Sequence, residues 1–237
     1  MTEVKKYQSL ETLFDSLADE IADKVETDIS CGTNTTALVV SGGTTPQPLF
    51  ERLAATPLAW DRVTFVPSDE RWLATDHDAS NENLIRSSLL QDKAAVAAVQ
   101  GLKLDFETAQ EAEAALNDKL APVLNCYSVA VVGMGLDGHF ASIFAGTPQE
   151  QVALDMSKGQ LCYAVDATGC PVAGDYTERM TLSLPAILNA KHVYLLITGE
   201  DKLALIKKAI NKDQSVNGLP IVRLLQQSET PVTVCCA

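Results

Sequence analysis

The sequence predicts an α/β fold whose centre is a parallel β-sheet. Three observations support this prediction. Short apolar segments alternate with amphipathic helical segments along the chain. Most apolar segments lack the alternation of a half-exposed strand, as expected of strands buried on both faces of a parallel sheet. The 237 residues are 46% hydrophobic and 21% charged, without repeats or low-complexity linkers, so residues 1–237 are predicted to form a single domain.

Six segments are predicted to be β-strands from their apolar content. Residues 180–184 alternate apolar and polar side chains, and the other five segments are predominantly apolar. The five are residues 36–41, 62–67, 127–132, 192–198 and 232–236.

Helices are predicted between these strands. The apolar residues of segment 9–26 recur at helical spacing, and Ser9 is available as its N-cap. A second helix is predicted to begin near Pro46. The remaining predicted helices cover residues 81–91, 106–123 and 200–211.

The composition argues against nucleic-acid and membrane partners. The chain has 18 Lys and Arg against 31 Asp and Glu, a net charge of −13, so an anionic ligand would need a locally basic site. The N-terminal segment lacks the apolar core of a signal peptide, and no segment approaches the roughly 18 apolar residues of a membrane span, so a cytoplasmic location is expected. The six cysteines form no CxxC pair, and neither a disulfide framework nor a zinc site is predicted.

A glycine loop, residues 41–46 (SGGTTP), joins a predicted strand to a predicted helix. Its two glycines allow a ligand to approach the backbone, Thr45 can serve as N-cap, and Pro46 suits the first helical position. Free N–H groups and the helix dipole at such a turn attract phosphate. A tight turn without a ligand is the alternative interpretation.

Charged residues also follow the next predicted strand. Asp69, Glu70 and Arg71 come directly after the apolar segment that ends at Pro67. Two carboxylates and a guanidinium at the carboxyl end of a strand fit a polar site better than a core. The alternatives are a solvated charged loop and a structural ion pair.

The histidine loop, residues 133–142 (GMGLDGHFAS), is the most informative segment. Its glycines match GxGxxG, but the acid about 20 residues further on lies in a predicted turn rather than at a strand end, so a dinucleotide site is rejected. We expect His139 to lie at the start of a helix, where the helix dipole favours the neutral imidazole that a general base needs. His77, in a polar loop, and His192, at the start of a strand, suit structural or exposed roles better.

Other catalytic motifs are absent from the sequence. It contains no GxSxG, HExxH or GxxxxGK[ST] motif, which leaves water as the expected nucleophile. Arg179 and Lys202 each lie beside a predicted strand or helix end and could supply cationic contacts to a phosphate.

Six segments in order resemble the 6-phosphogluconolactonases of the pentose phosphate pathway, from about Val40 to Lys202. The resemblance implies a Rossmann-like parallel-sheet sandwich of the glucosamine-6-phosphate deaminase and ribose-5-phosphate isomerase type. It also implies hydrolysis of a small-molecule sugar-phosphate lactone, a carboxylic ester hydrolase activity, with no metal or cofactor. The segments are VSGGTTPQPLF, PSDERWL, DHDASNENLIRSSLL, GMGLDGHFASIF, ERMTLSL and NAKHVYLLITGEDK.

The resemblance also implies roles for individual residues. His139 would activate the attacking water, with Asp137 beside it, and Arg71 would stabilise charge on the carbonyl oxygen or orient the ring. Asp69 and Glu70 would orient Arg71 or a substrate hydroxyl, and the sequence does not separate these roles. The residues expected to hold the phosphate are Gly42, Gly43, Thr44, Thr45, Arg179 and Lys202.

Two alternative functions remain open from the sequence. The related glucosamine-6-phosphate deaminases resemble DGHIAFNEPG in the histidine loop and carry a glutamate that acts in ring opening where this chain has Phe144. A non-catalytic sugar-phosphate binding module on the same fold is the second alternative. Phe140 also departs from the usual DGHTASLFPG pattern by replacing a threonine beside the expected base. The protein is expected to be a monomer or a homodimer.

Overall fold

The computed structural model describes residues 2–32 and 34–237, and its centre is a seven-stranded parallel sheet. All strands are numbered in chain order, including those of the second sheet described below. The strands of the central sheet are β1 (Thr2–Lys6), β2 (Thr36–Val40), β3 (Val63–Pro67), β5 (Ala98–Val99), β6 (Tyr127–Gly133), β9 (Ala190–Ile197) and β10 (Val232–Cys236). Their spatial order is β1, β10, β9, β6, β2, β3, β5, and every neighbouring pair is parallel.

A second, smaller sheet contains three antiparallel strands. It consists of β4 (Asp69–Arg71), β7 (Cys162–Asp166) and β8 (Glu178–Leu182), with β8 in the middle. Arg71 of β4 is the register partner of Arg179 of β8. Two segments that are distant in the sequence are thereby joined next to the end of β3.

Eight helices connect the strands within the described residues. They are α1 (Leu10–Ser30), α2 (Gln47–Ala55), α3 (Asn81–Leu84), α4 (Ala109–Leu120), α5 (Glu150–Ala153), α6 (Leu184–Leu188), α7 (Glu200–Ile210) and α8 (Pro220–Gln226). α3 continues into a π-helical turn, Ile85–Leu89. The long helix α1 begins with a capping box in which Ser9 and Thr12 each accept a hydrogen bond from the other's backbone N–H.

The two faces of the central sheet bury separate hydrophobic clusters. On β2, Val39 belongs to one cluster and Leu38 to the other, and β6 and β9 alternate in the same way. Apolar residues of α1 and α2 cover one face, and those of α4, α7 and α8 cover the other. The result is the predicted parallel-sheet sandwich, with helices on both sides of the sheet. None of the helices in the described part of the chain is long and apolar enough to cross a membrane.

Most predicted elements are confirmed, with different ends. The strand predicted over residues 180–184 is β8, Glu178–Leu182, because Ser183 instead caps α6 by accepting a hydrogen bond from the Ala186 N–H. The helix predicted over residues 106–123 is α4, which begins after the capping residue Thr108. The prediction that Thr45 caps α2 is wrong, since Pro46 is the residue before the helix and no side chain caps it.

Candidate active site

A cavity of about 310 Å³ opens at the carboxyl ends of the parallel strands. Eight of the ten predicted site residues line it, and only Thr44 and Asp137 are not among its lining residues. Three cationic side chains face one carboxylate there, so a protein of net charge −13 has a locally basic site. The eight are Gly42, Gly43, Thr45, Asp69, Arg71, His139, Arg179 and Lys202.

His139 and Asp137 form a hydrogen-bonded pair at the edge of this cavity. The Nδ1 atom of His139 lies 2.6 Å from Oδ1 of Asp137, and both side chains are partly exposed. An ionised carboxylate only accepts hydrogen bonds, so the proton of a neutral His139 ring belongs on Nδ1 and the lone pair on Nε2. The pair thus fixes the tautomer that a general base requires.

The prediction that a helix begins at His139 is wrong. The histidine loop is irregular, since Gly138 and Ala141 have positive φ angles of 77° and 49°, and the next helix, α5, begins at Glu150. The backbone doubles back instead, with the Gly135 N–H donating to the carbonyl of His139 at 2.9 Å. Orientation of the imidazole comes from Asp137 and not from a helix dipole.

Glycine at position 135 lets the His139–Asp137 pair pack against the backbone. A Cβ atom there would lie 2.3 Å from both Cε1 and Nδ1 of His139 and 2.4 Å from Oδ1 of Asp137. No side chain fits in that space without moving the pair. The start of α8 lies next to the same turn, because the Ile221 N–H donates to the carbonyl of Gly138 at 2.9 Å.

The glycine loop presents unused backbone donors to the cavity. Within residues 2–32 and 34–237, no protein atom accepts a hydrogen bond from the amides of residues 42–45. Gly43 has a φ of 90°, which L side chains rarely adopt. Gly42 packs directly against Asn81, whose Oδ1 atom would be 1.9 Å from a Cβ at position 42. A turn of this kind is suited to an anion.

Adjacent residues Asp69 and Glu70 have different surroundings. Asp69 lines the cavity, whereas Glu70 is fully buried and accepts hydrogen bonds from the backbone N–H groups of Arg71, Asn81 and Glu82 and from the hydroxyl of Ser80. Burial raises the pKa of Glu70, and these donors oppose that effect. Glu70 therefore ties β4 to the start of α3.

Arg71 keeps donor capacity toward the cavity. Its Nη1 atom donates to the carbonyl of Ala79 at 2.6 Å, and its buried Nε has no partner among the described residues. Lys202 reaches the cavity from the first turn of α7. These two cations approach from different elements of the fold.

Asp69 and Arg179 are both buried and lie close together. The Nη1 atom of Arg179 is 3.6 Å from Oδ2 of Asp69. Ser142 donates from its hydroxyl to the same Oδ2 at 2.5 Å, and the Arg179 Nη1 donates to that hydroxyl at 3.4 Å. Asn81 adds a hydrogen bond from Nδ2 to the backbone carbonyl of Asp69 at 2.7 Å.

Asn81 and Ser142 are site residues that the sequence reasoning did not select. Both lie within the resembling segments, but a lone serine or asparagine beside many similar residues carries no spacing signal. Phe140, which replaces a threonine beside the expected base, is fully buried in the hydrophobic core and is not among the residues that line the cavity. The replacement of threonine by Phe140 therefore changes how the histidine loop packs against the hydrophobic core.

Phe144 forms a wall shared by two of the site residues. Its ring centroid lies 4.7 Å from that of His139, at an interplanar angle of 46°, and the Arg179 guanidinium carbon lies 5.7 Å from the same ring. Phe144 itself is 1% exposed. A buried aromatic ring thus limits the positions that both side chains can adopt.

Comparison with known proteins finds relatives over the whole chain. The model of the family described as Glucosamine-6-phosphate isomerases/6-phosphogluconolactonase matches residues 8–233. A 6-phosphogluconolactonase from Caulobacter vibrioides is 31% identical over 238 residues, 99% of this chain and 97% of that protein. The crystal structure of a 6-phosphogluconolactonase from Shewanella baltica has a TM-score of 0.91 and 36% identity, covering 100% of this chain and 98% of the other.

A more distant structure shares the fold alone. A monomeric glucosamine-6-phosphate deaminase has a TM-score of 0.76 at 18% identity, covering 98% of this chain and 96% of the other. The parallel sandwich is therefore also the fold of a protein named as a deaminase. From the family match and the relatives that span nearly its whole length, the chain belongs to the glucosamine-6-phosphate isomerase/6-phosphogluconolactonase family.

Proposed function

We propose that the protein hydrolyses 6-phospho-D-glucono-1,5-lactone to 6-phospho-D-gluconate, the second step of the oxidative pentose phosphate pathway. The observation that carries the proposal is the His139–Asp137 pair at the edge of a basic cavity, in a chain whose relatives are named 6-phosphogluconolactonase. A base beside an anion site is what hydrolysis of a phosphorylated lactone requires.

The phosphate of the substrate is assigned to the glycine loop and the nearby cations. The free amides of Gly42 and Gly43 can donate to phosphate oxygens, and Arg179 and Lys202 supply positive charge. Binding energy from this remote group would hold the lactone carbonyl in place for attack.

The attacking water is assigned to His139. Nε2 of the neutral ring takes a proton from water as its oxygen bonds to C1 of the lactone, and Asp137 stabilises the imidazolium through Nδ1. The carbonyl oxygen becomes an oxyanion, for which Arg71 is the assigned stabilising cation. When the bond from C1 to the ring oxygen breaks, the imidazolium returns the proton to the leaving alkoxide, and the open-chain acid results.

Phe144 favours lactone hydrolysis over deamination. In the related deaminases the resembling position holds a glutamate that acts in ring opening, and a phenyl ring neither gives nor takes a proton. In lactone hydrolysis the proton for the leaving oxygen comes from the imidazolium, so no second acid is needed. The distant deaminase structure indicates a shared fold only.

Proton release from freshly prepared 6-phosphogluconolactone tests the proposal, with spontaneous hydrolysis subtracted. The wild type should accelerate hydrolysis, His139→Ala should abolish the acceleration, and both should bind 6-phosphogluconate with similar affinity. His192→Gln is the matched control, because His192 lies at the opposite end of the sheet, in β9. A folded wild type without acceleration would contradict the proposal, and ammonia release from glucosamine 6-phosphate would then be measured.

The binding-module alternative has its own expected result. A module without catalysis would bind the sugar phosphate and show no turnover in either the wild type or His139→Ala. The cytoplasmic location and the monomeric or homodimeric state stay predictions from the sequence.

A further inference from the structure

Two opposite charges in the cavity wall are separated by a serine hydroxyl. Asp69 and Arg179 are both more than nine-tenths buried, and a buried pair of this kind is most stable when it is hydrogen-bonded directly, at about 2.7–2.9 Å. Their closest contact is instead 3.6 Å, from Nη1 to Oδ2. The hydroxyl of Ser142 is bonded to both groups.

The direction of these hydrogen bonds follows from the chemistry of the groups. A serine hydroxyl has one proton, and it goes to the Asp69 carboxylate at 2.5 Å because a carboxylate only accepts. A guanidinium only donates, so the Arg179 Nη1 donates to the lone pair of the same hydroxyl at 3.4 Å. Ser142 therefore lies between the charges as a bridge.

The bridge is itself held in place. Ser142 is 0% exposed, and its backbone N–H donates to Oγ1 of Thr181 on β8 at 3.1 Å. The other side of Arg179 is fixed as well, with Nη2 donating to the carbonyl of Ala173 at 2.6 Å and Nε to that of Tyr176 at 2.7 Å. The backbone of Ser142 is thus anchored to β8 independently of the two charges.

We propose that Ser142 is a positioning residue that keeps Arg179 from closing onto Asp69. Without the hydroxyl, the Asp69 carboxylate and the guanidinium can together close the remaining distance and form a direct ion pair, which would take the Nη1 donor of Arg179 away from the cavity. With the hydroxyl in place, Asp69 balances the buried charge of Arg179 while donor capacity remains for an anion. The inference rests on the proposed function in one respect, the assignment of the substrate phosphate to Arg179.

Ser142→Ala tests this role, with Ser128→Ala as matched control. Ser128 is 1% exposed and also donates from its hydroxyl to a buried carboxylate, that of Asp28, but at the start of β6, far along the strand from the cavity. Both variants lose a buried Ser–Asp hydrogen bond and should lose stability alike. Only Ser142→Ala should raise the Kd for inorganic phosphate, by about tenfold, and the KM for the lactone in parallel, with kcat within about twofold.

A double-mutant cycle separates the effect of the distance between Asp69 and Arg179 from a general disturbance of the structure around Ser142. In an Asp69→Asn background the carboxylate that Ser142 separates from Arg179 is absent, so adding Ser142→Ala should change the phosphate Kd by less than about twofold. Ser142→Cys keeps an atom between the two charges with only a weak donor, so its phosphate Kd should stay within about threefold of the wild type, which separates loss of spacing from loss of the hydrogen bond.

Two results would overturn the inference. One is a phosphate Kd in Ser142→Ala equal to that of the wild type, and the other is an equal loss of affinity with and without the Asp69 carboxylate. A wild type that binds phosphate but does not accelerate lactone hydrolysis contradicts the proposed function alone, because the phosphate Kd values still measure the spacing of Asp69 and Arg179.

Discussion

Replacing Gly135 by alanine should displace the His139–Asp137 pair without changing either of the two side chains, and on the proposed function it should slow the reaction. The new Cβ would lie 2.3 Å from Cε1 and Nδ1 of His139 and 2.4 Å from Oδ1 of Asp137. Non-bonded carbon atoms pack at about 3.5 Å, so the ring would have to retreat by about 1 Å. Gly135 is not among the glycines with positive φ, and alanine is therefore allowed by the backbone.

A displacement of this size has a predictable kinetic cost. A shift of about 1 Å in a catalytic group can reduce the rate about 100-fold. We expect kcat for the lactone to fall by about that factor in Gly135→Ala and to stay at or above the value for His139→Ala. The assay is proton release at saturating substrate, with circular dichroism and urea denaturation to show that the variant is folded.

Gly133→Ala is the matched control from the same loop. A Cβ at Gly133 would meet only Oγ of Ser41, at 3.6 Å, an ordinary contact. Because Gly133 also lines the cavity, the two variants are compared by kcat and not by KM. Wild-type kcat in Gly135→Ala, or equal losses in both variants, would refute the idea that close packing on Gly135 fixes the pair.

Three further predictions concern residues around the site and at the far end of the sheet. Glu70→Gln should destabilise the fold by about 2 kcal/mol in urea denaturation, because an amide nitrogen cannot accept the N–H bonds that the buried carboxylate accepts; unchanged stability would contradict this. Phe144→Leu should lower kcat about fivefold through loss of the ring that packs on His139 and Arg179, with a normal rate as the opposing result. Burial lowers the pKa of His192 to about 4, so the unfolded chain binds more protons between pH 6.5 and 4 and stability should fall as the pH falls through that window. The decline of the urea midpoint should be smaller in His192→Gln, and parallel declines would contradict the assignment.

Five of the seven strands of the central sheet could be predicted, because they are largely buried on both faces. β2, β6 and β10 are predominantly apolar, and such segments are recognisable without knowledge of their partners. β1 was not predicted, since it is a polar, half-exposed edge strand. β4 is three charged residues long and is a strand only because β8, more than a hundred residues later, pairs with it. The local sequence pattern contains no information about pairing between strands so far apart in the chain.

The candidate site was predictable to the level of loops but not of side-chain directions. Strand ends brought the glycine loop, Asp69 and His139 to one cavity, as parallel strands require. The sequence does not separate Asp69 from Glu70, because their surroundings depend on the alternation of side chains along β4, and no local pattern predicts that strand. The prediction that a helix begins at His139 was wrong because it took no account of the backbone conformation of the neighbouring residues. Positive φ angles at Gly138 and Ala141 turn the chain before a helix can start.

The residue at position 144 distinguishes the proposed reaction from that of the related deaminases. In this chain the position that holds a glutamate in the related deaminases is filled by Phe144, which is buried against His139 and Arg179. A carboxylate there would be desolvated beside the imidazole and would attract the guanidinium, so it would compete with Asp137 and Asp69 for their partners. A phenyl ring leaves both of those pairs intact and restricts proton transfer to His139. The chemistry proposed here therefore depends on keeping that position apolar as much as on the base itself.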